Sequence, residues 1–408
     1  SRDSWFMGVT LQYGPDGSVF VIDWSDTGEC HSVRNTQRHT GRIYRISYGT
    51  PKRPELNLTT ATNERLVELQ KHRNDWLVRH ARRVLQERAA AGVDLSQVVA
   101  SLRSMIETES DVPRKLRALW GLHVAGGLDE AALLKHLDDE SEHVRVWAIQ
   151  LLVENPRRGS SKSPLVISNL SQSAELSQAA LLELVKLAMV DQSPLVRLYL
   201  ASALQRLGYN ERWPVIEALA ARADDNSDAS IPLMLWYGTE PLINNDLLRF
   251  ASLTVTSRNT ILRRHGARRI ASLSSDEARS AGLREVLTRS RDAVVQSDVL
   301  SGILRGFEGR RRVDMPHYWN ECYARFQNSE NEDVRRRSIQ LALIFDDKSA
   351  IEQLKSVAED RSAKLADRTV AIDSLVASKI AGFVTVLQGL IDDEAVLPSV
   401  LRGLAEYE

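Results

Sequence analysis

A chain of 408 residues with 43% hydrophobic and 26% charged side chains has the composition of an ordinary folded protein. Its 53 Lys plus Arg balance 54 Asp plus Glu, which argues against a polyanion-binding role for the surface as a whole. No apolar run reaches the roughly 18 residues of a membrane span, no signal-peptide pattern opens the chain, and two cysteines, Cys30 and Cys322, make no disulfide framework.

Residues 1–50 are the part that reads as β. Trp5 to Tyr13 is an extended apolar run, Gly14-Pro15-Asp16-Gly17 is a turn signal, and Ser18 to Asp23 alternates Val19 and Val21 with Phe20 and Ile22. A polar loop follows, and Gly41 to Tyr48 resumes the two-residue period. Three such strands cannot cover both their faces, so the expectation is a small antiparallel sheet that packs on the helices or completes a larger sheet. Residues 51–57, with Pro51 and Pro54, read as a linker.

From 58 to 408 the pattern is helical, and a solenoid of this length can form one unit. The clearest helix starts at Ser193, a good N-cap, with Pro194 at the first helical position. Leu195, Val196, Tyr199, Leu200, Ala203, Leu204 and Leu207 follow at helical spacing, and Gly208 is expected to close it in a left-handed conformation. Variants recur at 76–88, 113–124, 143–153, 261–273, 334–344 and 367–376. Several carry an arginine near the start and a small residue three later: Arg145 with Ala148, Arg263 with Gly266, Arg335 with Ser338, Arg368 with Ala371. The small residue admits a neighbouring helix, and the arginine is placed to pair with an acid of the adjoining repeat. Capping signals at Asp94, Asp129, Ser275 and Ser349 mark partner helices. The irregular spacing, with a loop expected at 155–163 and a loop or degenerate repeat at 224–245, suits HEAT-type repeats. The fold class is therefore mainly α: a HEAT-like α-α superhelix with a small N-terminal antiparallel sheet.

Three constellations merit a chemical reading. Asp23, Asp26, Glu29 and His31, at and beyond a strand end, are candidate metal or cofactor ligands; the alternative is local hydrogen bonding that orders the loop. The Cys-x-x-Cys-His pattern of haem attachment is absent there, because position 27 is Thr. Arg263, Arg264, Arg268, Arg310, Arg311 and Arg312 are candidate partner- or phosphate-binding residues if they share one groove; inter-repeat ion pairs explain them more simply, which leaves nucleic acid an unfavoured partner. Arg335 to Arg337 and Arg82-Arg83 are further basic clusters. The tryptophans Trp76, Trp120, Trp147, Trp213, Trp236 and Trp319 mostly lie in apolar helical patterns, with core packing as the default. His123, His136, His143 and His265 are scattered singly, and no nucleophile motif, phosphate loop or catalytic residue is apparent.

The opening Trp-Phe-Met-Gly-Val, through Gly-Pro-Asp-Gly-Ser-Val-Phe-Val-Ile-Asp-Trp to Gly-Arg-Ile-Tyr-Arg-Ile, resembles the last blade of the β-propeller of large bacterial membrane-bound dehydrogenase-like proteins. The segment Arg117-Ala-Leu-Trp-Gly-Leu-His123, with the helix at 76–88, resembles the HEAT-like region that follows that propeller. The resemblance implies a fragment, opening at Ser1 and ending at Glu408, of a multidomain extracytoplasmic redox protein. Quinone and haem c would belong to the parent, with no cofactor in this chain. The helical region would be a non-catalytic scaffold, its partners other domains of the same polypeptide or a separate protein.

Overall fold

The computed structural model describes residues 6–24, 41–51, 57–154, 176–310 and 312–407. They are mainly helical, with one small antiparallel sheet, and the chain divides into two compact units, Ser1–Leu152 and Val153–Glu408.

In the first unit, β1 (Met7–Tyr13), β2 (Val19–Trp24) and β3 (Ile43–Ile46) form a sheet in the order β1-β2-β3. The Gly14–Gly17 turn closes the hairpin by Gly14 N–H donating to Ser18 O at 2.7 Å, and Gly17, at φ +81°, takes the left-handed position the turn requires. Val9, Leu11, Tyr13, Ile43 and Ile46 stay exposed, so the described sheet leaves much apolar surface uncovered. Behind it come α1 (Asn63–Glu68), α2 (Asp75–Ala90), α3 (Ser96–Thr108), α4 (Val112–Val124), α5 (Glu130–His136) and α6 (Glu142–Leu152). They pair as α1/α2, α3/α4 and α5/α6, while α2, α4 and α6 stack in a row.

The second unit continues this plan with α7 (Gln178–Val190), α8 (Pro194–Ala203), α9 (Tyr209–Ala220), α10 (Ile231–Thr239), α11 (Leu247–Thr256), α12 (Thr260–Ala271) and α13 (Asp276–Arg289). It ends with α14 (Ala293–Gly306), α15 (Trp319–Gln327), α16 (Glu332–Ile344), α17 (Lys348–Glu359), α18 (Leu365–Ala377), α19 (Phe383–Gly389) and α20 (Leu397–Ala405). Each odd-numbered helix pairs with the next even one, and the even helices α8 to α20 stack in sequence. The odd helices α7, α9, α11 and α13 form a second row. Most starts are fixed by polar caps: Ser193 Oγ accepts from Val196 N–H at 3.2 Å and Asn259 Oδ1 from Leu262 N–H at 2.9 Å.

The recurring arginines hold turns between consecutive helices. In α8, α12, α13 and α16, the arginine four residues after the N-cap is Arg197, Arg263, Arg279 or Arg335. Its Nη1 donates to the carbonyl six residues back: Asp191 at 3.0 Å, Ser257 at 2.9 Å, Leu273 at 2.8 Å and Ser329 at 2.6 Å. Those carbonyls lie at or just past the end of the preceding helix, where no intrahelical donor remains. Arg145 does the same to Asp139 O at 2.8 Å, and in α14 Gln296 takes the position and reaches Ser290 O at 3.2 Å. Three arginines also meet an acid further along the chain: Arg197 pairs with Asp225 at 2.6 Å, Arg263 with Asp298 at 2.5 Å and Arg368 with Asp393 at 2.7 Å. The hydrogen bond and charge of Arg368 hold the Asp393 carboxyl below its ordinary range. The small residues three positions on are buried as expected, Ala148, Gly266, Ser338 and Ala371 among them.

Three expectations are corrected. Gly208 does not close α8: the helix ends in a 3₁₀ turn, Leu204–Arg206, and Gly208, at φ −64°, is the N-cap of α9, with its N–H donating to Glu211 Oε2 at 2.9 Å. The cap of α17 is Asp347 rather than Ser349, which sits in the first turn. The stretch 224–245 is not a loop: it holds a helix, α10, and a 3₁₀ turn at Glu240–Asn244. The loop expected at 155–163 lies outside the described residues.

Candidate binding surface

Helix α2 begins at Asn74, whose side chain serves two elements. Its Oδ1 accepts from Trp76 N–H at 3.0 Å to cap the helix, and its Nδ2 donates to Gly14 O at 3.0 Å and Pro15 O at 3.1 Å in the hairpin turn. The sheet is thereby tied to the first turn of α2. Trp76 and His80, one turn apart, stack at 3.8 Å between ring centroids, with His80 Nδ1 donating to Trp76 O at 2.8 Å. Leu11, Tyr13, Val19, Trp76, His80 and Arg83 line an open cavity of about 750 Å³ between sheet and helix.

A second face of α2 carries Asp75, Arg79 and Arg82 at helical spacing and meets α4. Asp75 is shared by two guanidiniums, Arg79 at 3.1 Å and Arg117 of α4 at 3.3 Å. Arg117 also donates to His72 O at 3.1 Å. Arg82 lies over the Trp120 ring at 5.0 Å, and Trp120 meets Trp147 of α6 edge to face at 4.9 Å between centroids. Gln150, one turn beyond Trp147, continues the line. Arg82 Nη1, Trp120 Nε1 and Gln150 Nε2 are all enclosed and have no hydrogen-bond acceptor among the described residues. Burial lowers the Arg82 pKa, with a smaller push from Arg117 and Arg79.

Of the residues singled out in the sequence, Asp23 joins two parts of the sheet. Its Oδ1 accepts from Met7 N–H at 2.9 Å and its Oδ2 from Arg42 Nε at 3.1 Å. Asp26, Glu29 and His31 lie outside the described residues. Among the described residues, no group of three or more His, Cys, Asp or Glu is placed to hold a metal. Arg263 and Arg264 converge on the buried Asp298, Arg264 Nε reaching Oδ1 at 2.7 Å. Arg268 is exposed on the same helix, Arg310 sits over the Phe307 ring at 6.0 Å, and Arg312 pairs with Asp346 at 2.9 Å. Arg311 is outside the described residues. Trp213 and Trp319 are core residues, at 2% and 0% exposure, whereas Trp76, Trp120, Trp147 and Trp236 are only half-buried. Full burial describes the first two and not the other four. Cys322 is buried, and burial pushes its thiol pKa up. No described helix is long and apolar enough to cross a membrane.

Two histidines should make the stability of the fold depend on pH. His265, edge-on to Trp236 at 5.3 Å, has its pKa lowered by burial and then by Arg268 and Arg305; His136 is lowered chiefly by burial. The folded state therefore binds fewer protons than the unfolded chain once the pH drops below about 6.5, the ordinary histidine value. The stability these groups contribute is complete above that pH and declines as the pH falls toward their lowered values. Urea midpoints should be lower at pH 5.5 than at pH 7.5, and His136→Gln with His265→Gln should shrink the difference; an unchanged difference refutes the assignment.

No protein-family model matches this chain, and no curated protein is matched by it. Among solved structures it is similar to the X-ray structure of Escherichia coli YibA, at 14% identity and a TM-score of 0.32, over 68% of this chain and 93% of that one.

Proposed function

We propose that this chain is a non-catalytic helical-repeat scaffold, in which stacked helix pairs form a HEAT-like superhelix that holds other domains of its polypeptide, or a protein partner, in fixed relation. The observation that carries this reading is the construction of the repeats. Several of their arginines are used internally, stapling turns between helices or pairing with acids of neighbouring repeats, as in Arg197 with Asp225 and Arg263 with Asp298. Stacked rows of this kind present long side-chain surfaces at a set spacing, the property that repeat proteins use for binding.

A second reading concerns the sheet. Its exposed Leu11, Tyr13, Ile43 and Ile46 favour further strands or a further domain packed against it. A last propeller blade of a membrane-bound dehydrogenase-like protein, with quinone and haem c held elsewhere in an extracytoplasmic parent, supplies such a cover. The Asp23–His31 loop would then lie near that parent's redox domain.

Both readings are tested in one experiment on the source cells, by cross-linking, recovery with an antibody against this chain, and reading of mass and haem stain. The scaffold reading expects cross-links to a further domain or a partner protein, and the dehydrogenase reading expects a haem-positive band far above the mass of a 408-residue chain. A haem-free, uncross-linked band at that mass overturns both, and turnover by the isolated chain overturns the scaffold reading.

A further inference from the structure

The half-buried Arg82 differs from every comparable arginine in the described structure. Each other buried or half-buried arginine donates to at least one carbonyl, hydroxyl or carboxylate oxygen: Arg117 to His72 O, Arg212 to Leu207 O, Arg325 to Leu287 O, Arg337 to Ser297 O. Arg82 donates to none, although its guanidinium rests on Trp120 and one of its nitrogens is shut away from solvent. Taking a guanidinium out of water without an acceptor destabilises the fold. The surrounding charge shows what is missing, because Arg79, Arg82 and Arg117 together have one carboxylate, Asp75, and Arg79 and Arg117 already occupy its oxygens.

We propose that the face formed by Arg82, Trp120, Trp147 and Gln150 is a docking site for an extended acidic peptide, with a Glu or Asp carboxylate of the partner on the Arg82 guanidinium. This deepens the scaffold reading and rests on it. A carboxylate accepts the planar fork of a guanidinium in two parallel hydrogen bonds. The paired indoles of Trp120 and Trp147 supply an apolar floor that excludes water around those bonds, as arginine and tryptophan do at the centres of protein interfaces.

The site crosses the row α2, α4, α6. With neighbouring axes about 8–10 Å apart, it spans the length of roughly six extended residues. A protein segment fits better than a nucleic acid, because the cationic charge is confined to one spot. Outward from it, Lys115 is matched by Asp139 at 3.3 Å and Lys135 by Glu107 at 3.1 Å, so no run of unmatched cations tracks a phosphate backbone.

The test uses the full chain and two pools of end-capped, rhodamine-labelled hexapeptides, identical except for a fixed Glu or a fixed Gln at the third position, the other positions being randomised over uncharged residues. Fluorescence anisotropy should show the Glu pool binding at least tenfold more tightly than the Gln pool. Arg82→Gln should abolish that preference without lowering the melting temperature, since it removes an unpaired buried cation. Arg83→Gln, at an exposed neighbour paired with Glu87, should retain the preference. Equal binding of the two pools, binding of neither, or a preference that survives Arg82→Gln overturns the proposal, as does a large drop in melting temperature in Arg82→Gln, which marks a structural role. Displacement of the Glu pool by a twelve-residue oligothymidylate at equal concentration assigns the face to nucleic acid instead. If neither pool binds while the recovered chain is still cross-linked to a partner, the site fails and the scaffold reading stands; if no partner is found, the scaffold reading fails whatever the pools do.

Discussion

Replacing Gly302 by alanine should lower the melting temperature of the second unit by roughly 6–12 °C, about 3 kcal/mol at 2–4 °C per kcal/mol for a unit of this size. The sign is the informative part, because alanine in the middle of an exposed helix is favoured over glycine by about 1 kcal/mol. Gly302 lies where α14 crosses α12, and a Cβ there falls well inside contact distance of the Arg264 carbonyl oxygen and 2.8 Å from Ala267 Cβ. One turn on, a Cβ on Gly306 meets Ala271 Cβ at 2.6 Å and Arg268 O at 2.7 Å. The two glycines of α14 thus face two alanines of α12, and the backbones approach too closely for any side chain between them. Admitting a methyl group means separating the helices along the most extensive helix–helix contact of the unit, with loss of packing on both sides. Gly389 is the control: it ends α19 with nothing within 4 Å of its Cβ position, so Gly389→Ala should be neutral or slightly stabilising. Thermal scans of both variants check this, and a neutral Gly302→Ala refutes the close crossing.

The helices were legible because their caps and stripes are local. Ser193, Pro194 and the spaced leucines of α8 settle a start and a buried face with little help from the rest of the chain. The end of that helix was not legible, since Gly208 suits a C-terminus and an N-cap equally, and only the reach of Glu211 back to its N–H makes it the latter. Pairing of the repeat arginines with acids was foreseen as a type, but the carbonyl six residues back appears only when a turn of fixed length folds the arginine onto the end of the preceding helix. The candidate surface was mostly missed. Arg82-Arg83 reads as a basic cluster, yet nothing in the sequence separates Arg83, paired with Glu87 in solvent, from Arg82, which is enclosed over Trp120. A signal did exist for the tryptophan: Ala118, Leu119 and Leu122 form the buried stripe of α4, and Trp120 stands about 100° around the helix from Leu119, off that stripe. A large aromatic beside a core stripe rather than in it belongs to a neighbour or a partner, and here it meets both Arg82 and Trp147.

Asp298→Ala should be the most damaging single change to the charge network, costing about 3–5 kcal/mol. Asp298 is 2% exposed and accepts from Arg263 Nε at 2.8 Å, Arg263 Nη2 at 2.5 Å and Arg264 Nε at 2.7 Å. Removing it leaves the Arg263 guanidinium, itself only 5% exposed, with the Ser257 carbonyl and the Thr260 hydroxyl and no counter-charge. The cost comes from the stranded cation more than from the attraction lost, and the two are separable. Arg263→Met combined with Asp298→Leu removes both charges while keeping the volume filled, so the double variant should be far more stable than Asp298→Ala and close to the wild type. Some loss should persist, because Arg263 also satisfies the carbonyl at the end of α11, which methionine cannot do. Urea unfolding of the single and double variants measures each term. If the double variant is as unstable as Asp298→Ala, the damage lies in packing at the α12–α14 crossing rather than in an unpaired charge, and the arginines of the other repeats should then be read the same way.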